Sequence, residues 1–261
     1  MRAPPPYVPG HGLLTGKSVL ITAAAGAGIG FSTAQKCVEE GCRAIVISDM
    51  HERRLSESVE KLKAIAGDRP VFGQLCDVTK EEQVQALIDF AEDKLGGVDV
   101  LINNAGLGGS KLLVEMTDDE WNKVIDITLT GTFRMTRAML KVMQPRGRGV
   151  IVNNASVLGW RAQKEQAHYA AAKAGVMALT RCSAVEAADH GVRINAVSPS
   201  IALHEFLKKS ASEELLQKLT ANEAFGRAAE VWEIANVIMF LASDYSSYMT
   251  GEIVSVSSQR A

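Results

Sequence analysis

Apolar and polar positions along the chain fall into short apolar runs separated by longer segments of helical period. Ser18–Thr22, Ala44–Ser48, Val71–Cys76, Val98–Ile102, Val150–Val152, Val192–Val197 and Ile253–Val256 are β-branched or aliphatic runs of strand length. Their apolar character on both sides of the alternation suits strands buried on both faces of a parallel sheet. Between them the pattern changes to helical. Val84, Leu87, Ile88 and Ala91 recur at i, i+3, i+4 and i+7 over Thr79–Leu95, and Gly96-Gly97 closes that segment. Further helices are predicted after Gly30 to about Glu40, from about His51 to Ala66, from Thr117 to about Met143, around Tyr169 to about His190, and near Val231–Leu241. Asp118-Asp119-Glu120 lie in the first turn of the long helix, as the helix dipole prefers. Strands alternating with helices imply an α/β fold, a single Rossmann-like doubly wound parallel sheet of about seven strands with helices on both faces.

Ligands of such sheets sit at the C-terminal ends of the strands. The first strand is followed at once by Ala23-Ala-Ala-Gly26-Ala-Gly28-Ile29-Gly30 and a helix. Glycines there let backbone amides and a helix N-terminus approach a pyrophosphate, although any tight strand-to-helix turn also favours glycine. Asp49 ends the second strand nineteen residues beyond Gly30, where a carboxylate accepts from both adenosine ribose hydroxyls. The same charge would repel a 2′-phosphate, so NAD is expected. NADP is the alternative, because His51-Glu-Arg53-Arg54 could supply cations. Asp77 ends the third strand, as an adenine contact or as a cap for the helix beginning at Thr79. Asn103-Asn104-Ala105-Gly106 follows the fourth strand, Ser156 the fifth, and Ser198 ends the sixth.

Tyr169 and Lys173, four apart in a helix-forming Ala-rich run, share one helix face. A hydroxyl, a phenol and an ammonium brought together form a set for moving a proton. A tyrosine base working near pH 7 needs ~4 kcal/mol of phenolate stabilisation, which a neighbouring ammonium can supply.

Composition narrows the field. The 261 residues are 47% hydrophobic and 22% charged, enough for one sizeable core. A net charge of −2 without a basic run argues against nucleic acid and anionic membrane as partners, and no stretch is long and apolar enough to span a bilayer. Cys37, Cys42, Cys76 and Cys182 form no metal-binding or disulfide pattern, so no metal is expected, and reduced, mostly buried thiols in a cytoplasmic protein are. Residues 1–16 hold four of the seven prolines and read as an extended arm, with the domain at 17–261. His11–Ser18 nearly spells a phosphate loop, but it precedes the first strand and lacks the first glycine. Residues 200–225 carry no strand pattern and read as a helical flap over a substrate.

Jointly, the Gly-rich turn, Asp49, Asp77-Val78, Asn103-Asn104-Ala105-Gly106, Ser156, Tyr169-x-x-x-Lys173, Asn195-Ala-Val-Ser-Pro199 and Tyr248-Met-Thr-Gly251 resemble the short-chain dehydrogenase/reductase family over residues 17–256. The resemblance implies that Ser156 holds the substrate oxygen, Tyr169 transfers the proton, and Lys173 lowers the tyrosine pKa and binds the nicotinamide ribose. It implies a dinucleotide held by Gly26, Gly28, Ile29, Gly30, Asp49, Asp77, Val78, Asn104, Ala105, Gly106, Pro199 and Ala202. It also implies a homotetramer, built through helices around Thr130 and Ala178 with apolar faces at Val176-Met177-Leu179.

Four departures qualify it. The turn lacks its first glycine, at Ala23, and is one residue longer. Thr128 stands where the family has a catalytic asparagine, with Asp126 nearby as a substitute anchor. Pro199-Ser200 replaces Pro-Gly, with His204 in place of a threonine, and Ser257-Ser258-Gln259 replaces the closing Asp-Gly-Gly. Trp160, Arg161, His204 and Phe206 are the candidate substrate contacts. The Asn153–Gln163 segment and the Ser255–Ala261 terminus resemble an actinobacterial branch acting on hydroxy or keto groups of steroid-ring-derived acyl-CoA thioesters. A linear 3-oxoacyl-thioester reductase of the fatty-acid type and a catalytically silent dinucleotide-binding member are the competing readings.

Overall fold

The structure, a computed structural model, describes residues 3–203 and 213–259. Seven parallel strands form one sheet in the order β3-β2-β1-β4-β5-β6-β9. They are β1 (Ser18–Ile21), β2 (Ala44–Asp49), β3 (Val71–Leu75), β4 (Val100–Asn103), β5 (Gly149–Asn154), β6 (Val192–Pro199) and β9 (Ile253–Val256). A two-residue pair, β7 (Ala202–Leu203) and β8 (Ala229–Glu230), stands apart.

Period-two alternation sorts each strand's side chains onto two cores. Val19, Ile21, Ile45 and Ile47 face α1 (Ile29–Glu39), α2 (Glu52–Ala66) and α8 (Val231–Ala242). Leu20, Ala44 and Val46 face α3 (Glu81–Leu95), α5 (Gly131–Arg146) and α6 (Ala167–Ala188). Burial of each Val, Leu or Ile contributes about 1.5–3 kcal/mol, which is why the expected strands and helices form where they do. The chain leaves β3 on one side of β1 and returns through β4 on the other. Strand order therefore reverses between β1 and β4, and their C-terminal ends open a crevice.

The long helix expected over Thr117–Met143 is interrupted. It is α4 (Asp118–Ile125), a π turn (Asp126–Thr130) and then α5. A Thr117–Glu120 capping box starts α4. Two glycines seat the π turn: a Cβ at Gly131 would lie 2.6 Å from Val78 Cγ2, and one at Gly175 2.6 Å from a Leu129 methyl.

The arm is shorter than the expected 1–16. Leu14 is fully buried in the core, and Glu40 Oε2 accepts from the His11 and Leu13 amides, so only residues up to about 10 lie across the surface. There the Tyr7 ring covers the buried Lys36 ammonium at 4.4 Å and meets Trp232 edge-to-face at 5.3 Å. In the flap, α7 (Glu213–Ala221) is helical as expected, whereas His204 and Phe206 fall outside the described residues. Cys37, Cys42 and Cys76 are buried thiols, and Cys182 is exposed. Among the described residues no helix is long and apolar enough to cross a membrane, and no cluster of His, Cys, Asp or Glu could hold a metal ion.

Candidate active site

The first turn of α1 begins at the end of β1. Gly28 is its N-cap with no side-chain cap, no acidic residue occupies the first turn, and open space lies where Cβ atoms at Gly26 and Gly28 would project. Uncapped amides at a helix N-terminus form an anion seat. Gly26 adopts φ +99°, which favours glycine, and its amide donates to Ser58 Oγ at 3.1 Å. Gly30 is required sterically, because a Cβ there would lie 2.4 Å from both Ala23 O and Asn104 Nδ2. Ala23, standing where the family has glycine, is forced to φ +49°.

Asp49 ends β2 as expected and is 7% exposed. Its carboxylate accepts from the Ala25 amide at 3.3 Å and the His51 amide at 3.0 Å, with Arg54 3.7 Å away. Burial raises its pKa, while the amide bonds and Arg54 pull it down. Asp77 Oδ1 accepts from the Thr79 amide and hydroxyl, so the turn role is realised, although α3 itself begins later, at Glu81. Val78 is buried beneath Gly131. Thr22 Oγ1 accepts from the Asn104 and Ala105 amides, locking the loop after β4 to the glycine turn. Ser48 Oγ, Asn154 Oδ1 and Ser198 Oγ, at or near the ends of β2, β5 and β6, are buried without a partner. Orphaned polar atoms around an uncapped helix N-terminus fit a polar dinucleotide.

Ser156, Tyr169 and Lys173 are brought together as the sequence suggested. The turn Val157–Gly159 is pressed onto α6, so closely that a Cβ at Gly159 would lie 2.6 Å from Met177 Cε, and this seats Ser156 beside the helix. Burial raises the Tyr169 phenol above its ordinary value, and a hydrogen bond with Ser156 pulls it down. Lys173 is 3% exposed; its Nζ donates to Asn154 O at 2.5 Å and stands 5.6 Å from the Tyr169 ring centroid. Burial lowers its pKa from 10.5 to about 8. The Lys173 ammonium is directed to a backbone carbonyl, and at the phenol burial outweighs the Ser156 bond.

Thr128 reaches the loop after β4. Its hydroxyl accepts from Leu107 N at 3.0 Å and donates to Leu107 O at 3.2 Å, clamping the loop over the site. Asp126 Oδ1 accepts from Arg134 Nη1 at 2.8 Å. Gly106 fills the narrow space between Lys173 and Thr128, where a Cβ would lie 3.4 Å from Nζ and 3.7 Å from Thr128 Cγ2.

Trp160 is half exposed, and Arg161 Nη1 binds Gln259 Oε1, tying the segment after Ser156 to the C-terminal tail. The Ser258 amide and hydroxyl donate to the buried Glu223. Pro199 ends β6 and Ala202 is buried in β7. Val176 and Met177, expected on an intersubunit face, are instead buried in the protomer; Ala178 and Val185 are among the exposed positions of that helix. A surface cavity of about 490 Å³ lies at the opposite end of the sheet, lined by Lys17, Asp99, Arg193 and Asp244, away from all these residues.

Thr22, Ser58 and Asn154 escaped the sequence reading. Thr22 and Asn154 stood in the right places, at strand ends, but a polar residue there has no signature of its own. Ser58 lies on a helix whose distance from the turn only the fold closes.

Residues 23–258 match the family model described as enoyl-(acyl carrier protein) reductase. The chain is 63% identical over 98% of its length, and 97% of the relative's, to (5R,7aS)-5-hydroxy-7a-methyl-1-oxo-2,3,5,6,7,7a-hexahydro-1H-indene-carboxyl-CoA reductase of Mycobacterium tuberculosis. It is 36% identical, over 93% of its length and 97% of the relative's, to a 3-oxoacyl-[acyl-carrier-protein] reductase of Thermotoga maritima. A crystal structure of a short chain dehydrogenase from Mycobacterium smegmatis superposes with a TM-score of 0.87 at 58% identity, covering 98% of each chain.

Proposed function

Because this chain belongs to the short-chain dehydrogenase/reductase family, oxidoreductases that bind a nicotinamide dinucleotide, we propose that it interconverts a ketone and a secondary alcohol on a fused-ring acyl-CoA thioester, using NAD(H). The observation that carries the reading is geometric: the Tyr169 phenol is bonded to Ser156, and the buried Lys173 ammonium stands 5.6 Å from its ring centroid. The nicotinamide, when bound, supplies or accepts the hydride. Ser156 Oγ positions the substrate oxygen. Tyr169 gives its proton to that oxygen as negative charge develops in ketone reduction, and takes it back in alcohol oxidation. The Lys173 ammonium, present below about pH 8, favours the phenolate left behind.

Gly26, Gly28, Ile29 and Gly30 would hold the pyrophosphate, and Asp49 the adenosine ribose. The buried carboxylate supports NAD over NADP, with Arg54 as the opposing signal. Trp160 and Phe225, each about half exposed, offer apolar surface to the ring, and Arg161 offers a cation to the anionic CoA portion. The ring-CoA substrate rests on the 63% identity to a reductase of an indene-carboxyl-CoA. The proposed homotetramer would use exposed positions of α5 and α6, Phe133, Ala178 and Val185.

A panel of fused-ring and linear 3-oxoacyl-CoA thioesters, each with NADH and NADPH, tests the assignment. Faster turnover of the ring substrates with NADH is expected. Equal or better rates on linear substrates would move the enzyme to the fatty-acid type.

A further inference from the structure

The site contains a chain of side-chain amides whose orientation is dictated at one end. Asn104 sits just beyond β4 and Asn154 at the end of β5; the residues before them, Asn103 and Asn153, are paired across the two strands. The Ala23 carbonyl can only accept, so the amide group facing it at 2.9 Å must be Asn104 Nδ2. Asn104 Oδ1 is thereby turned toward Asn154, and the group meeting it at 3.0 Å must be Asn154 Nδ2. Asn154 Oδ1 is then left buried without a donor, while the same residue's main-chain oxygen receives Lys173 Nζ. The chain runs unbroken from the strained residue of the glycine turn, Ala23, to the ammonium of the proton-transfer set.

Neither alternative anchor is free. The Thr128 hydroxyl is committed to both backbone groups of Leu107, and Asp126 to Arg134. Among the described residues no carboxylate pairs with Lys173, so the carbonyl of Asn154 is what fixes its ammonium. Asn104 Nδ2 also presses on the first turn of α1, where a Cβ at Gly30 would strike it at 2.4 Å. A shift of that turn on binding an anion is therefore passed to Asn104, and through it to Asn154.

We propose that Asn154 is the positioning residue for Lys173, coupling the state of the glycine turn to the lysine through Asn104, with its free Oδ1 ready to accept from a hydroxyl of the bound dinucleotide. The assignment rests on the dinucleotide reading above and deepens it.

A double-mutant cycle over Asn104→Ala and Asn154→Ala tests it, with two measurements that do not need turnover. One is the dissociation constant of NADH from fluorescence quenching. The other is the pH midpoint for acetylation of Lys173 by acetic anhydride, read by mass spectrometry with and without NADH. We expect Asn154→Ala to weaken NADH about fivefold and to move the Lys173 midpoint by about half a pH unit; because both residues belong to one chain, the double variant should fall within about twofold of the worse single. Should an alanine variant fail to fold, the near-isosteric Asn154→Leu, which removes the Nδ2 donor facing Asn104 Oδ1 without adding a charge, is predicted to give the same midpoint shift. Multiplicative losses, or an unchanged midpoint in a folded variant, would overturn the coupling. Wild-type NADH binding without turnover of any ketone would instead count against the catalytic reading and leave this test intact.

Discussion

Lys173 is a buried cation that the fold tolerates at a calculable cost. A lysine that ordinarily titrates at 10.5 is held at about 8 by burial. At 1.36 kcal/mol per pH unit, keeping it charged in the folded protein costs about 3 kcal/mol. The sign follows from the protons bound in each state. Between pH 8 and 10.5 the unfolded lysine is charged while the folded one is neutral, so stability rises with pH across that window. Below pH 8 both states are charged and the full penalty applies. Lys173→Met replaces the ammonium with an apolar chain of similar length and removes the penalty, at the loss of the bond to Asn154 O, worth about 2 kcal/mol while the donor is charged and about 1 kcal/mol once it is neutral. The variant should therefore be about 1 kcal/mol more stable than wild type at pH 7, and about 1 kcal/mol less stable at pH 10.5 and above, where only the lost bond to the neutral amine remains. Urea denaturation of both proteins at matched concentration, at pH 7 and across the alkaline range, measures this. Other groups that titrate in the window are common to both proteins and cancel in the difference. A Lys173→Met variant less stable than wild type at pH 7, by an amount independent of pH, would refute the argument that burial dominates the site.

The same lysine predicts that kcat for ketone reduction falls as pH rises through about 8, with Lys173→Met flat over that range; a pH profile at saturating substrate and cofactor checks it. Ala23→Gly relieves a left-handed alanine and should raise stability by about 0.5–1 kcal/mol, or a Tm gain of about 1–4 °C by calorimetry. Tyr7→Ala uncovers the Lys36 ammonium and breaks the contact with Trp232, and should lower stability by about 1–2 kcal/mol in urea without changing kcat.

The sheet was legible because burial on both faces leaves unmistakable apolar runs, and all seven expected strands occur within two residues of their predicted bounds. Ser156, Tyr169 and Lys173 were legible from spacing, since four residues on a helix fix a face. What escaped lies between elements. The π turn at Asp126–Thr130 carries no apolar signature and depends on Gly131 and Gly175 accepting Val78 and Leu129 at close range. Leu14 follows a proline-rich stretch whose composition masks one residue that belongs to the core. The pairing of Asn104 with Asn154 needs a sheet order and register that composition does not encode. Ala23 looks like a lost glycine in sequence, and the structure shows that the left-handed backbone was kept.

The central claim is that Tyr169 carries the proton in an alcohol–ketone exchange. Absorbance of the reduced nicotinamide, followed with a fused-ring oxoacyl-CoA for wild type and Tyr169→Phe, tests it directly. The account predicts wild-type turnover and a loss of about 10²–10⁴ in kcat for Tyr169→Phe with NADH affinity retained. Wild-type rates in Tyr169→Phe would contradict it.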